Sequence, residues 1–193
     1  MEAAAMSLGE RARQYTPTQR RTIDAALALF VQRGVGDTSL QMIATEVGVT
    51  KAAIYYQFKT KEEIVLAVAE VELSGLEEAV DTALGMGGGL EARRWLLARV
   101  IDLAVSQRRA VGTLLSDPVL VRYLNEQELY RRLMSRLLAV LFGHEGGDKA
   151  RVRAAVLAAA FGAVANHFVV DVDDEALRRE LVEVMLPLLP DRD

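Results

Sequence analysis

The sequence predicts an all-α protein, in which a three-helix unit with a helix-turn-helix precedes a larger helical domain, about nine helices in total. Three observations support this fold class. Ala and Leu, which favour helices, dominate the apolar residues that make up 51% of the 193-residue chain. Apolar side chains recur at helical spacing. Capping motifs, glycines and an Asp-Pro pair divide the chain into segments of helical length.

The first predicted helix begins at Thr16–Gln19, which combines a cap residue, Pro at the first helical position and Gln three residues after the cap. The pattern continues until Gly34, which suits the position after a helix end. Its apolar face consists of Ile23, Ala26, Leu27 and Phe30. We expect residues 1–15 to form a flexible tail.

The next two predicted helices are short and follow each other closely. A second capping box, Thr38–Gln41, opens a helix that ends before Gly48, and only Gly48 and Val49 separate it from the next cap, Thr50. The third helix, from position 51 to about position 58, must therefore start at a steep angle to the second. This spacing is typical of a helix-turn-helix.

Beyond this unit, a capping box at Thr60–Glu63 opens a long helix that we expect to reach about Leu84, before the glycines of residues 85–89, and to bridge two domains. The predicted domains are a helix-turn-helix domain over residues 16–62 and a second helical domain over residues 63–193. The further helices are predicted around residues 90–106, 107–116, 118–124, 126–142, 149–170 and 174–189.

The composition excludes several classes of protein. Without Cys, the chain has no disulfide or thiolate metal site and fits a reducing compartment such as the cytoplasm. Residues 154–170 are too short for a membrane span and contain Asn166 and His167. The net charge is -4, yet residues 1–61 hold eight Lys+Arg against five Asp+Glu, whereas residues 62–193 hold fifteen against twenty-two. The basic part is therefore the N-terminal third.

The outward face of the third helix carries chemistry that suits the major groove of DNA. Lys51 can meet a phosphate or a guanine edge, the small Ala52 allows close approach or touches a thymine methyl, and tyrosine hydroxyls can donate to phosphate oxygens. The helix caps and the start of the fourth helix add further candidates. The predicted DNA contacts are Thr38, Ser39, Thr50, Lys51, Ala52, Tyr55, Tyr56 and Lys61.

Other interpretations of these residues stay open. Some bundles that do not bind DNA share the three-helix geometry. Tyr55 lies near the side of Ile54 and Phe58, and it fits a half-buried core aromatic equally well. Lys59 and Lys61 also fit solvated charges at helix ends. Of the two, Lys61 suits a phosphate contact better because it starts the fourth helix.

Residues 22–64 resemble the N-terminal signature of the TetR family of transcriptional regulators. Ala53 departs from the glycine that is usual in the family, and Gln57 departs from its frequent histidine. The resemblance implies a ligand-responsive, sequence-specific DNA-binding regulator, a repressor that a small hydrophobic effector releases from a palindromic operator. The matching residues are Ile23, Ala25, Ala26, Leu29, Phe30, Gly34, Thr38, Ser39, Ile43, Ala44, Gly48–Thr50, Ile54–Phe58 and Lys61–Ile64.

The resemblance also implies a homodimer held by a four-helix bundle, with residues 149–170 and 174–189 contributed by each subunit. The sequence permits this bundle, because the first segment has a surface of small residues and the second has an apolar stripe. An ordinary intramolecular core explains both patterns equally well. The residues concerned are Ala154, Ala155, Ala158, Ala159, Gly162 and Ala165, then Leu177, Leu181, Val184, Met185 and Leu188.

For an effector site, the candidates are large or partly polar side chains within otherwise apolar helices. Plain packing in the core is the alternative for each of them. A mainly apolar lining predicts a hydrophobic or amphipathic effector rather than a sugar or a metal ion. The candidates are Trp95, Arg99, Tyr123, Tyr130, Met134, Phe161, Asn166 and His167.

The sequence predicts no catalytic residue, no cofactor and no metal site. His144 and Glu145 fit a solvated turn, since the chain has two His and no Cys. An enzyme on a helical scaffold lacks support because neither a Ser-His-Asp set nor a phosphate-binding loop occurs. A helical adaptor without DNA binding would need a neutral or acidic recognition face, whereas this face carries Lys51 and Tyr56.

Overall fold

A computed structural model describes residues 6–108, 110–112, 117–143, 148–164 and 169–190. Within these ranges no strand occurs, and the predicted all-α class is confirmed. The predicted segment 107–116 lies partly outside the described residues. The helices are α1 (Leu8–Gln14), α2 (Pro17–Arg33), α3 (Leu40–Val47), α4 (Lys51–Gln57), α5 (Lys61–Gly85), α6 (Gly89–Ser106), α7 (Pro118–Glu126), α8 (Glu128–Phe142), α9 (Asp148–Ala163) and α10 (Asp174–Met185), which a short 3₁₀ helix (Leu186–Leu188) follows.

The chain forms two compact units. Met1–Ser74 and Thr113–Gln127 make up the first, while Gly75–Gly112 and Glu128–Asp193 make up the second. This division differs from the predicted border after residue 62, because the first unit continues along α5 and includes α7. The buried side chains of Leu120 and Leu124 give α7 a core-facing side.

The start of α2 forms as its sequence predicts. The hydroxyl of Thr16 accepts a hydrogen bond from the Gln19 backbone N–H, and the Gln19 side chain accepts one from the Thr16 N–H. Pro17 occupies the first helical position. The side chains of Ile23 and Phe30 are buried, and α2 contacts α3. The capping box therefore fixes where the helical core of the first unit begins.

Helix α1 lies within the segment for which the sequence analysis predicted a flexible tail, and that prediction is wrong for Leu8–Gln14. Ser7 and Glu10 form a capping box, and the side chains of Leu8 and Ala12 are buried. One guanidinium N–H of Arg20 on α2 donates to the Ala12 carbonyl at 2.6 Å. Burial of one helix face and this hydrogen bond hold the segment in place.

The second unit is organised around α6, which contacts both α8 and α10. The buried side of α6 includes Leu96, Leu97 and Ile101. The predicted glycine break before this helix is confirmed, since α5 ends at Gly85 and α6 begins at Gly89. No helix in the described ranges has both the length and the apolar character that crossing a membrane requires.

Candidate nucleic-acid interface

The turn between α3 and α4 consists of Gly48, Val49 and the cap Thr50. Gly48 has φ of 78° and ψ of 33°, the left-handed conformation that glycine adopts without strain. Its N–H donates to the Thr45 carbonyl at 3.1 Å, and the Val49 N–H donates to the Ala44 carbonyl at 2.9 Å. The Thr50 hydroxyl then accepts from the Ala53 N–H at 3.2 Å and starts α4. This geometry confirms the predicted helix-turn-helix.

Helix α4 buries one side and exposes the other. Ile54 and Phe58 are buried in the first unit, as predicted. Lys51 and Ala52 are exposed, and the side chain of Tyr56 is 86% exposed. A ring this exposed contributes little to the core, so it is available to a partner.

The two tyrosines of α4 lie beside lysines. The Lys51 ammonium is 5.6 Å from the centroid of the Tyr55 ring, and the Lys59 ammonium is 5.9 Å from the centroid of the Tyr56 ring. Lys59 also donates to the Tyr55 carbonyl at 3.2 Å. Tyr55 is 43% exposed and belongs to the surface rather than to the core. Positive charge therefore flanks both exposed rings.

The two residues before α3 differ in what they offer to DNA. Thr38 is 2% exposed, and its hydroxyl donates to the Gly34 carbonyl at 2.8 Å. Its predicted contact with DNA is therefore not supported, because the hydroxyl is buried within the protein. Ser39 is exposed and caps α3 by accepting from the Met42 N–H at 3.3 Å. Its contact with DNA stays a prediction.

Lys61 fixes the loop between α2 and α3. Its ammonium donates to the carbonyls of Val35 at 2.9 Å, Gly36 at 3.3 Å and Thr38 at 3.1 Å. A lysine ammonium has three N–H donors, so the loop uses all of them. The sequence analysis predicted a phosphate contact for Lys61, and such a contact would compete with these bonds. The structure gives Lys61 a positioning role that the sequence analysis missed.

Gln57, where the family often has histidine, links α4 to α2. Its side-chain oxygen forms a hydrogen bond of 3.1 Å with the hydroxyl of buried Thr22, and its side-chain nitrogen donates to the Ala53 carbonyl at 3.3 Å. From the sequence, Gln57 is only a departure from the usual histidine, with no assigned role. The hydrogen-bonded pair of Thr22 and Gln57 instead orients α4, the helix that exposes Tyr56.

Glu70 on α5 holds α1 through two side chains. The buried Glu70 carboxylate accepts from the Tyr15 hydroxyl and from an Arg11 guanidinium N–H, the latter at 3.3 Å. Burial and the hydrogen bond to Glu70 raise the pKa of Tyr15 above its ordinary value. The pairing with Glu70 was missed because nothing in the local sequence indicates partners so far apart.

Part of the predicted effector set lies in the second unit. Tyr130, Met134 and Phe161 are half-buried there, and burial raises the pKa of Tyr130. Asn166 and His167 lie outside the described residues. The half-buried members remain compatible with either a pocket or a core.

Three other members of the effector set are placed differently. Trp95 is 37% exposed, and Arg99 is exposed and pairs with Asp102. The expectation that these two are embedded in the domain is wrong, because they lie on the side of α6 that faces away from its buried leucines. Tyr123 belongs to α7 and hence to the first unit.

A cavity of about 360 Å³ lies in the first unit, and Tyr123 is among its lining residues. The pKa of Tyr123 is raised by burial, then by the charges of Glu62 and Glu126. The lining of this cavity is therefore more polar than that of the predicted effector site. It comprises Val35, Gly36, Lys61, Glu62, Val65, Leu120, Arg122, Tyr123 and Glu126.

In the described ranges, no group of three His, Asp or Glu side chains is suited to a metal ion. His144 and Glu145, for which the sequence analysis predicted a solvated turn, lie outside the described residues.

Residues 23–68 match the family model described as "Bacterial regulatory proteins, tetR family". This N-terminal segment is therefore similar to the TetR family. The resemblance of residues 22–64 to the TetR signature is thereby confirmed.

Curated transcriptional regulators match part of the chain. The transcriptional regulator SrpR of Pseudomonas putida is 41% identical over 75 residues, which cover 39% of this chain and 35% of that protein. AcrR of Shigella flexneri is 36% identical over 94 residues, 48% of this chain and 44% of that protein. The chain thus spans less than half the length of these relatives. Both are named as transcriptional regulators, in agreement with the expectation of a non-enzyme.

The fold of most of the chain is similar to that of the regulator FadR from Bacillus subtilis, whose structure contains stearoyl-CoA. The TM-score is 0.67 at 18% sequence identity, and the match covers 89% of this chain and 99% of that one. At this identity the similarity shows the fold alone.

Proposed function

We propose that this protein is a sequence-specific DNA-binding transcriptional regulator, a homodimeric repressor that a small hydrophobic or amphipathic effector releases from a palindromic operator. The observation that carries the proposal is the exposed face of α4. It follows a two-residue turn, presents Lys51, Ala52 and Tyr56 to the surroundings, and lies within the segment of the TetR family. We place its action in the cytoplasm, where bacterial DNA lies.

In this proposal α4 enters the major groove. Ala52 leaves room for the helix to approach the bases, while Lys51 reaches a phosphate or a guanine edge. Tyr56 donates its hydroxyl to a phosphate oxygen. The capped N-termini at Ser39 and Thr50 add backbone N–H groups, which favour nearby negative charge. The phosphate contacts make binding weaken steeply as the salt concentration rises.

The proposed dimer interface uses α9 and α10. Val152 is 61% exposed, and it lies on one face of α9 with exposed Ala155, Val156 and Ala159. On α10, Val184 is 69% exposed. A second copy of the chain would remove this apolar stripe from water, and two-fold pairing would present two recognition helices to the two halves of a palindrome.

Gly162 supports a close approach of helices at this interface. A Cβ atom at Gly162 would meet no atom of the described residues within 4 Å. The packing of the protomer itself therefore does not require a residue without a side chain at this position. A partner helix would give the small residue a physical purpose.

The proposed effector binds in the second unit and is hydrophobic or amphipathic. The half-buried Tyr130, Met134 and Phe161 supply apolar surface with one polar group, which suits an acyl chain or a similar molecule. The presence of stearoyl-CoA in the FadR structure makes acyl-CoA a first probe. An effector can release DNA only if it binds the DNA-incompetent state more tightly, so operator DNA must weaken its binding by the same factor.

The decisive experiment selects duplexes from a random pool with the purified protein. We expect enrichment of a short, near-palindromic sequence, and loss of its binding in the double variant Lys51→Ala/Tyr56→Ala. Arg94→Ala, which also removes one positive charge from an exposed helix position, is the control and should bind like the wild type. Failure to enrich any duplex, or tight binding by the double variant, would contradict the proposal.

The effector is tested on the selected duplex. Stearoyl-CoA and a panel of lipophilic compounds are titrated into the complex while fluorescence anisotropy reports bound DNA. We expect at least one hydrophobic compound to release the duplex, and we expect the duplex to weaken the binding of that compound to an equal extent. Release by hydrophilic sugars alone would contradict the proposed chemistry.

A further inference from the structure

The loop between α2 and α3 is held from two sides. From one side, the ammonium of Lys61 binds three of its carbonyls. From the other side, the Val35 backbone N–H donates to Oδ2 of Asp117 at 3.1 Å. Charged partners make stronger hydrogen bonds than neutral ones, so both side chains restrain the loop firmly.

Asp117 joins this loop to the first turn of α7. Its Oδ1 accepts from the Leu120 N–H at 3.1 Å, which caps α7, while its Oδ2 accepts from Val35. One carboxylate therefore fixes the position of α7 relative to the loop. A shift of α7 would have to stretch or break the bond to Val35.

The loop in turn sets the position of the helices that would meet DNA. Thr38 closes it by donating to the Gly34 carbonyl, and Ser39 immediately caps α3. Helix α3 contacts α4, which carries Lys51 and Tyr56. Movement of the loop would therefore displace the exposed face of α4.

Helix α7 belongs to the first unit, although its neighbours in the chain do not. The segment before it, which ends at Gly112, and the segment after it, which begins at Glu128, belong to the second unit. Leu120 and Leu124 anchor α7 within the first unit. Both ends of α7 are therefore joined through the chain to the second unit.

The packing between the loop and α7 is incomplete. The cavity of about 360 Å³ is lined by Val35 and Gly36 of the loop and by Leu120 and Tyr123 of α7. Continuous packing would resist a shift of α7, whereas a cavity leaves room for one. The bond from Val35 to Asp117 is a direct polar link between the two elements across this incomplete packing.

From these contacts we infer that Asp117 is the positioning residue through which α7 transmits the state of the second unit to the recognition helix. When Asp117 holds the Val35 N–H, the loop has the geometry that binds DNA; when α7 withdraws, the loop is released. This inference rests on the proposed function, and it assigns the coupling to one carboxylate.

The first test compares Asp117→Ala and Asp117→Asn with the control Asn125→Ala, which lies exposed on α7 and bonds only within that helix in the described contacts. If loss of the bond lowers the DNA-competent fraction to about a tenth, affinity for the selected duplex falls about tenfold in Asp117→Ala. Asp117→Asn keeps one acceptor oxygen for two N–H groups and should be intermediate. Amide exchange at Val35 should accelerate in the same order.

A second test separates coupling from general destabilisation. The chain has no Cys, so Gly36→Cys and Arg122→Cys can be joined by a short bismaleimide without competing thiols. In the Asp117→Ala background, this cross-link between the loop and α7 should restore affinity to within about threefold of the wild type. The same protein without cross-linking should stay weak. Binding is measured well below the midpoint of thermal unfolding of each variant.

The outcomes are distinguishable. If the wild type enriches a duplex but Asp117→Ala binds it as tightly as Asn125→Ala does, the coupling role of Asp117 is overturned and the proposed function stands. If affinity falls and the cross-link does not restore it, Asp117 is a structural residue only and the inference also fails. If the wild type enriches no duplex at all, the proposed function itself fails and takes this inference with it.

Discussion

Replacing Lys61 by Met separates its two possible roles. The sequence predicts that Lys61 contacts a phosphate, whereas in the structure all three of its N–H donors bind carbonyls of the loop between α2 and α3. Met keeps the length and apolar body of the side chain but removes the charge and the donors. The variant therefore tests whether the ammonium serves the fold or the DNA.

The expected loss of stability can be worked from these contacts. A hydrogen bond to a charged group contributes about 1.5–3 kcal/mol to folding. Three such bonds would exceed about 4.5 kcal/mol, but Lys61 is half-buried and water can reach some of the freed carbonyls. We therefore expect a loss of about 2 kcal/mol, which lowers the melting temperature of a chain of this size by roughly 4–8 °C.

The assay combines thermal unfolding with the salt dependence of DNA binding. Each phosphate contact contributes about -0.9 to the slope of log K against log salt concentration. We expect Lys61→Met to melt earlier with an unchanged slope, and the control Lys51→Met, at an exposed position, to melt normally with a shallower slope. Normal melting of Lys61→Met together with a slope reduced by about one would refute this reasoning.

Three further predictions concern other parts of the molecule. Ala159→Glu on the exposed stripe of α9 should give a folded monomer in light scattering, while Ala98→Glu, the same change at an exposed position of α6, should remain a dimer. Gly48→Ala should cost about 1–2 kcal/mol of unfolding free energy, because a Cβ would meet no described atom within 4 Å but φ is 78°. In denaturant titrations at alkaline pH, the free energy of unfolding should fall less steeply with pH in Tyr15→Phe than in the wild type. Burial and the bond to Glu70 raise the pKa of Tyr15, so its contribution is present below pH 10.0 and is lost as pH rises above it.

Local signals were sufficient to predict the helix-turn-helix. The caps at Thr16 and Thr50 and the left-handed Gly48 each act within four residues of sequence, whereas the box predicted at Thr38 starts one residue early, because Ser39 caps α3. Such short-range rules can be applied without knowledge of the tertiary structure. The same capping rule, applied at Ser7, predicts the start of α1. That helix could therefore have been predicted from the sequence.

The roles of Thr38 and Lys61 could not be read in the same way. Both belong to the TetR signature and carry polar groups that suit phosphate, yet their partners are carbonyls of the loop. Whether a donor points outward or inward depends on tertiary structure. The border between the two units was equally hidden, because it falls inside the continuous helix α5 and because α7 joins the first unit from a distant part of the sequence.

The residues that match the TetR signature and the residues that would read the bases are different sets. Gly48 and Thr50 shape the turn, and Ile54 and Phe58 fill the core beneath α4. These roles are the same whatever sequence is bound. Lys51 and Ala52, the exposed residues at the start of α4, lie between the matched stretches. Since base edges are read by the N-terminal residues of a recognition helix, the operator depends on positions that the resemblance does not specify. Substituting other residues for Lys51 and Ala52 should therefore change the sequence of the selected duplex while leaving the fold intact.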